Sequence, residues 1–184
     1  MFNNLNANSP ISAGATLGID ATGRVVTVTG SSFAPAYGQI SLPASVVVAP
    51  TGGGSSNNAV PTDLLQITLP VAGTYLIIYS VRAQQQTFIT AGQNSFATAF
   101  IKDGTGTQIP GSAVIISGLS VADGTSGGML IGTNCSGTLV RVVTNPSGET
   151  LTLSVYTGNT GTPSFRFIND ANGTTQMSFV KITP

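Results

Sequence analysis

Apolar residues along this chain fall in short runs that repeatedly alternate with Thr, Ser, Asn and Gly. Between the runs lie Gly, Pro and Asp signals, among them Asp103-Gly104, Pro146-Ser147-Gly148 and Asn172-Gly173. Alternation with a period of two marks strands, and Gly and Pro punctuate them as turns. The pattern predicts strands at Tyr37–Leu42, Val46–Val48, Leu64–Leu69, 74–82, Ser95–Lys102, Val114–Ile116, Gly128–Gly132, Thr138–Val143, Leu151–Tyr156, Phe165–Ile168 and Gln176–Ile182. No run keeps a helical period for ten residues or more. Some ten short strands at this spacing predict an all-β sandwich, jelly roll or barrel.

One strand departs from simple alternation. In Gly73-Thr-Tyr-Leu-Ile-Ile-Tyr-Ser-Val-Arg82, residues Tyr75, Ile77, Tyr79 and Val81 point to one face and Leu76 and Ile78 to the other. A strand with one wet face would place polar residues on it. Two apolar faces call for two dry neighbours, the domain's own core and a further surface. In an all-β domain that further surface is often another subunit.

Residues 1–35 read differently. An Asn-rich start leads into Leu17–Val28, a short hairpin turning at Asp20–Gly23, with Pro10 and Pro35 bracketing the segment. We expect an N-terminal arm at 1–35, poor in apolar residues and able to order on a partner, and a main domain at 36–184.

Charge narrows the function classes. Only 7% of residues are charged, six basic and six acidic, so net charge is zero; about 25% is usual. No basic patch could neutralise a row of phosphates, so no nucleic-acid partner is expected. No apolar run approaches the ~20 residues of a spanning helix, so no membrane partner is expected either. The start has neither a basic segment nor an apolar one of the secretory kind, so we expect either synthesis in a host cytoplasm or a signal segment already removed. The single Cys135 cannot form an internal disulfide.

The chemistry of enzymes is thin. There is no histidine, which removes the usual general base and most zinc sites. Without a histidine to activate it, Cys135 reads as a small packed residue. The acids Asp20, Asp63, Asp103, Asp123, Glu149 and Asp170 sit in or beside predicted turns, where Asp bonds local backbone. Asp103, Asp123 or Asp170 could ligate calcium, but no Asp-x-Asp-x-Asp-Gly spacing occurs. Asn134-Cys-Ser136 and Asn172-Gly-Thr174 match the glycosylation acceptor pattern by composition alone. We expect no catalysis and no cofactor.

Three stretches carry a family resemblance. Gly73-Thr-Tyr75-Leu-Ile77, with Val81 further on, resembles the Gly-x-Tyr-x-(Phe/Ile) strand of the trimeric jelly rolls of tumour necrosis factors and of the complement component one, subunit q, heads. Gly173-Thr-Thr-Gln-Met-Ser-Phe-Val-Lys-Ile182 resembles their final strand. Ala99-Phe-Ile-Lys-Asp-Gly-Thr-Gly-Thr-Gln-Ile-Pro-Gly111 is similar to a hairpin region of bacterial members such as spore-surface collagen-like glycoproteins. The resemblance spans roughly residues 36–184. It implies a jelly-roll sandwich assembled as a homotrimer. Leu76, Ile78, Gln176 and Ser178 would lie toward the three-fold axis, and Tyr75, Ile77, Tyr79, Val81, Met177 and Phe179 in the core.

Together these readings favour a virion structural protein of a tailed bacteriophage: a trimeric capsid decoration (cement) protein or head fibre. Residues 1–35 would attach it to the major capsid protein or another virion protein. The alternatives are a receptor- or glycan-binding tail-fibre head using loops 51–58, 84–94 and 157–163, and a spore-surface or adhesive module.

Overall fold

The computed structural model describes residues 16–19, 21–28, 36–49, 60–85, 94–120, 132–159, 164–171 and 173–183. The chain divides into two compact units, Met1–Ala34 with Pro184, and Pro35–Thr183. The first contains the hairpin of β1 (Thr16–Ile19) and β2 (Val25–Val28), paired antiparallel with Ile19 opposite Val25. Its register agrees with the expected turn, of which residues 21–24 are described and Asp20 is not.

The second unit is all-β, and the described residues contain no helix. Its strands are β3 (Tyr37–Ser41), β4 (Val46–Val48), β5 (Thr62–Leu69), β6 (Gly73–Gln85), β7 (Asn94–Lys102), β8 (Val114–Ser120), β9 (Gly132–Val143), β10 (Glu149–Asn159), β11 (Phe165–Phe167), β12 (Asn169–Asp170), β13 (Gly173–Thr174) and β14 (Gln176–Thr183). Several outrun their expected bounds: β6 runs to Gln85 and β9 begins at Gly132. Of the strand expected at Gly128–Gly132, only Gly132 lies within the described residues, as the first residue of β9.

Two large antiparallel sheets form, and β12 and β13 pair as a separate short ribbon. One large sheet has the order β5-β10-β7-β8. In the other, β3, β14 and β6 lie side by side, β9 pairs the far edge of β6, and β11 and β4 extend from its end. Number the eight long strands β3, β5, β6, β7, β8, β9, β10 and β14 as one to eight. The sheets then read 1-8-3-6 and 2-7-4-5. This interleaving, first beside last and second beside seventh, is the double Greek key of a jelly roll. The fold is therefore an all-β jelly-roll sandwich.

The core lies between the sheets. Tyr75, Ile77, Tyr79, Val81 and Ala83 of β6 meet Leu65, Ile67 and Leu69 of β5, Ala97, Ala99 and Ile101 of β7, and Leu151, Leu153 and Val155 of β10; all are buried. Met177 and Phe179 of β14 complete it, with Phe179 edge-on to Tyr75. Every residue named for the core in the sequence is thus on the inner face and buried.

The two tyrosines keep their hydroxyls bonded, as burial requires. Tyr75 donates to the Val71 carbonyl at 2.8 Å, and Tyr79 donates to the Ser112 carbonyl. Burial pushes the Tyr79 phenol up to about 12, with Cys135 adding to it. The glycine opening the Gly-x-Tyr motif also has a physical reason. Gly73 has φ +146°, and the Lys181 side chain occupies the space its Cβ would need.

Candidate functional site

The outer face of the β3-β14-β6-β9 sheet is the first candidate. Register aligns its residues in rows. Tyr37, Val180, Leu76 and Val140 form one row across four strands. The next row is Gln39, Ser178, Ile78 and Thr138, and the next Ser41, Gln176, Ser80 and Ser136. Beyond these, Arg82 lies opposite Asn134, and at the other end Thr74 lies opposite Val142. The face therefore grades from apolar to polar along the strands.

Its apolar end is open. Tyr37 is 78% exposed, Val142 62%, Val140 59%, Val180 43% and Ile78 42%. Leu76 is half-buried. Side chains of this size present on the order of 500 Å² together, at the upper end of what a monomer shows in one patch. The polar end is self-satisfied: Gln39 donates to Gln176 at 2.9 Å, and the Ser178 hydroxyl reaches the Ile78 carbonyl at 3.4 Å. All four residues named for the interface, Leu76, Ile78, Gln176 and Ser178, lie on this one face. Tyr37, Val140 and Val142 join them. They were missed because each sits on a strand whose apolar side looks ordinary in isolation. Only the register aligns them.

A second feature gathers charges that the sequence leaves scattered. The turn Asp103–Thr107 after β7, Arg141 near the end of β9, and Glu149 opening β10 converge at one end of the sandwich. Arg141 Nε donates to Glu149 Oε2 at 2.7 Å and its Nη2 to Glu149 Oε1. The Gly104 amide donates to Glu149 Oε1 at 3.3 Å. Asp103 Oδ1 accepts from Thr105 N at 2.9 Å, Thr105 Oγ1 at 2.6 Å and Thr107 N at 3.0 Å. Asp103 Oδ2 stands 3.9 Å from Arg141 Nη2.

The Arg141 guanidinium holds the Glu149 carboxyl below the usual carboxylate range. The Thr105 and Thr107 hydrogen bonds do the same for Asp103. Both carboxyls therefore stay ionised at neutral pH, so neither suits the general-acid role that glycoside hydrolysis requires. Beside them is a cleft of about 460 Å³, lined by Gly104, Thr105, Arg141, residues 142–145 and 148–150.

The other candidates separate. Asp63 accepts from Lys102 at 2.5 Å and from Ser154 at 2.6 Å. It is the second residue of β5 rather than a turn residue. Asp170 lies 3.6 Å from Arg166. Among the described residues no three His, Cys, Asp or Glu side chains come together as a metal site. Cys135 is half-buried on β9, and its thiol is pushed up by burial. Asn134 of the first glycosylation pattern accepts from Arg82 at 3.2 Å. Residues 1–15, loop 51–58, residues 86–93 and 160–163, Asp20, Asp123 and Asn172 lie outside the described residues.

No known protein family and no curated protein matches the sequence. Among solved structures, the chain is similar to the infectious bursal disease virus Gx strain structure, at 18% identity and TM-score 0.44, covering 95% of this chain and 37% of that one. The VP2 subviral particle of the same virus aligns at 16% identity and TM-score 0.39, over 94% of this chain and 45% of that one. The Eiger tumour necrosis factor of S. frugiperda aligns at 10% identity and TM-score 0.38, over 80% of this chain and 91% of that one. The chain spans less than half the length of the viral chains it matches.

Proposed function

We propose that this protein is a non-enzymatic structural component of a virion, a homotrimer that decorates the capsid of a tailed bacteriophage or forms its head fibre. The observation that carries the reading is the apolar row Tyr37–Val180–Leu76–Val140, open on either side of the half-buried Leu76, which crosses β3, β14, β6 and β9. A domain gains by covering such a row, and three copies arranged about a three-fold axis would each cover part of a neighbour's. The neutral surface adds support, since copies at high local density do not repel one another.

Attachment falls to residues 1–35 and assembly to the jelly roll in this account. The test uses phage particles stripped of the protein. Full-length protein should rebind at full occupancy, and a chain starting at residue 36 should remain assembled yet stay in the supernatant. Full decoration by the truncated chain would move the anchor into the jelly roll. Binding of the intact protein to host cells or to surface glycan, with none to capsids, would replace this reading by a receptor-binding head.

A further inference from the structure

The chain enters the jelly roll at the apolar end of the graded face. Ala36 is the first described residue after the arm, and its carbonyl accepts from the Lys181 amide at 2.8 Å. Tyr37, the next residue, opens β3 and stands in the apolar row opposite Val180. The start of β6 at Gly73 pairs with the end of β9 at Val143 at this same end. The arm's entry point is therefore fixed beside the surface that copies would cover, and not at the polar end.

Apolar burial on offer is uneven along that face. The exposed Tyr37, Val180, Val140 and Val142 crowd the entry end, and Ile182 joins them near the end of β14. The other end holds Ser41, Gln176, Ser80 and Ser136, and beyond them Arg82 and Asn134. Copies that cover apolar surface draw together at the first end and gain little at the second. Leu76 and Arg82 lie on β6 about 20 Å apart along the strand. A taper over that length brings the entry points close and leaves the polar ends apart. The four strands of the face span about 14 Å, so three entry points around one axis fall within roughly 30 Å of one another.

We propose that three copies converge at this apolar end and send out their arms as one cluster, so that the assembly docks by three arms at once. The partner is then a surface that repeats one docking site about a three-fold axis, and the polar ends of the jelly rolls face away from it. This rests on the assembly and attachment reading above. Arms held this close reach effective concentrations near millimolar, and the cluster outbinds a single arm by about 10²–10⁴.

Nitroxide labels test the convergence on the full-length protein in a Cys135→Ser background. Pro35→Cys marks the arm's entry and Asn134→Cys the polar end. Pulsed electron spin resonance should give a shorter distance between copies at position 35 than at position 134. Equal distances, or a shorter one at 134, would overturn the convergence and leave the trimer standing. No distance between labels, together with a monomer mass, would remove the assembly and this inference with it. Docking by three arms is read on particles stripped of the protein. Full-length Ile78→Asp, reduced to a smaller species with its arm unchanged, should bind about a hundredfold more weakly than the parent at equal arm concentration. Equal binding would overturn docking by a cluster, whereas a parent trimer that never binds would overturn the attachment reading beneath it.

Discussion

Single residues carry much of the specification, and Tyr79 shows how. Its ring lies over Gly137, the residue opposite it on β9, and the ring edge and hydroxyl oxygen occupy the place where a Gly137 Cβ would stand. A glycine in a strand ordinarily weakens it, but here it gives a buried tyrosine room to reach the Ser112 carbonyl. Gly137→Ala should therefore destabilise the fold by about 1–3 kcal/mol, read as a lower urea midpoint with an unchanged slope. The same tyrosine sets an alkaline limit. Its phenol ionises near 10 when unfolded and only at about 12 in the fold. The stabilisation is fully present below pH 10 and falls away as pH rises toward 12, by roughly 2–3 kcal/mol in all. Denaturant melts from pH 9 to 12 would show this decline, and Tyr79→Phe should remove most of the slope. Alternation set Tyr79 on one face of its strand with Tyr75, Ile77 and Val81, and the resemblance implied that this face is the core. Its tie to Gly137 was not legible, because strand register is a long-range property.

At the scale of elements, alternation located the long strands, while β6, β8, β9 and β10 run beyond the ends it set. The two-faced reading of residues 74–82 rested on Leu76 and Ile78, and both lie on the outward side of β6. What alternation could not supply was which strands pair. Arg141 and Glu149 are eight residues apart on strands of different sheets, and Asp103 is far from both in sequence. Their meeting depends on how the β9–β10 connection crosses between sheets, so no local motif announces it. This trio ties the Asp103–Thr107 turn to β9 and β10. Arg141→Ala would leave the half-buried Glu149 carboxylate with only the Gly104 amide, at a cost of about 2 kcal/mol. The parent protein carries an acid dependence through the same groups. Both carboxyls are lowered in the fold, so their stabilisation is present above pH 4.5, the ordinary glutamate value, and is lost as pH falls through the depressed folded values. Arg141→Ala should flatten the acid limb of a stability–pH curve as well as lower it.

For the whole molecule, the sandwich order and the graded outer face point the same way. One end of that face is apolar and open, and the other is polar and bonded to itself, so the apolar end should dominate contact between copies. Ile78 gives the cleanest substitution. At 42% exposed it is not a core residue, so Ile78→Asp should leave circular dichroism and melting of the protomer close to those of the parent. In an assembled face it would place an unpaired charge in an apolar contact, shifting the protein to a smaller species. Substitution of a buried neighbour such as Ile77 would instead unfold it, and the contrast separates interface from core.

Self-association through this face sets the mass of the protein in solution, which multi-angle light scattering reads on the purified full-length chain at micromolar concentration. The expected result is a single species of three times 18.5 kDa that Ile78→Asp reduces. A stable, monodisperse 18.5 kDa monomer would contradict it.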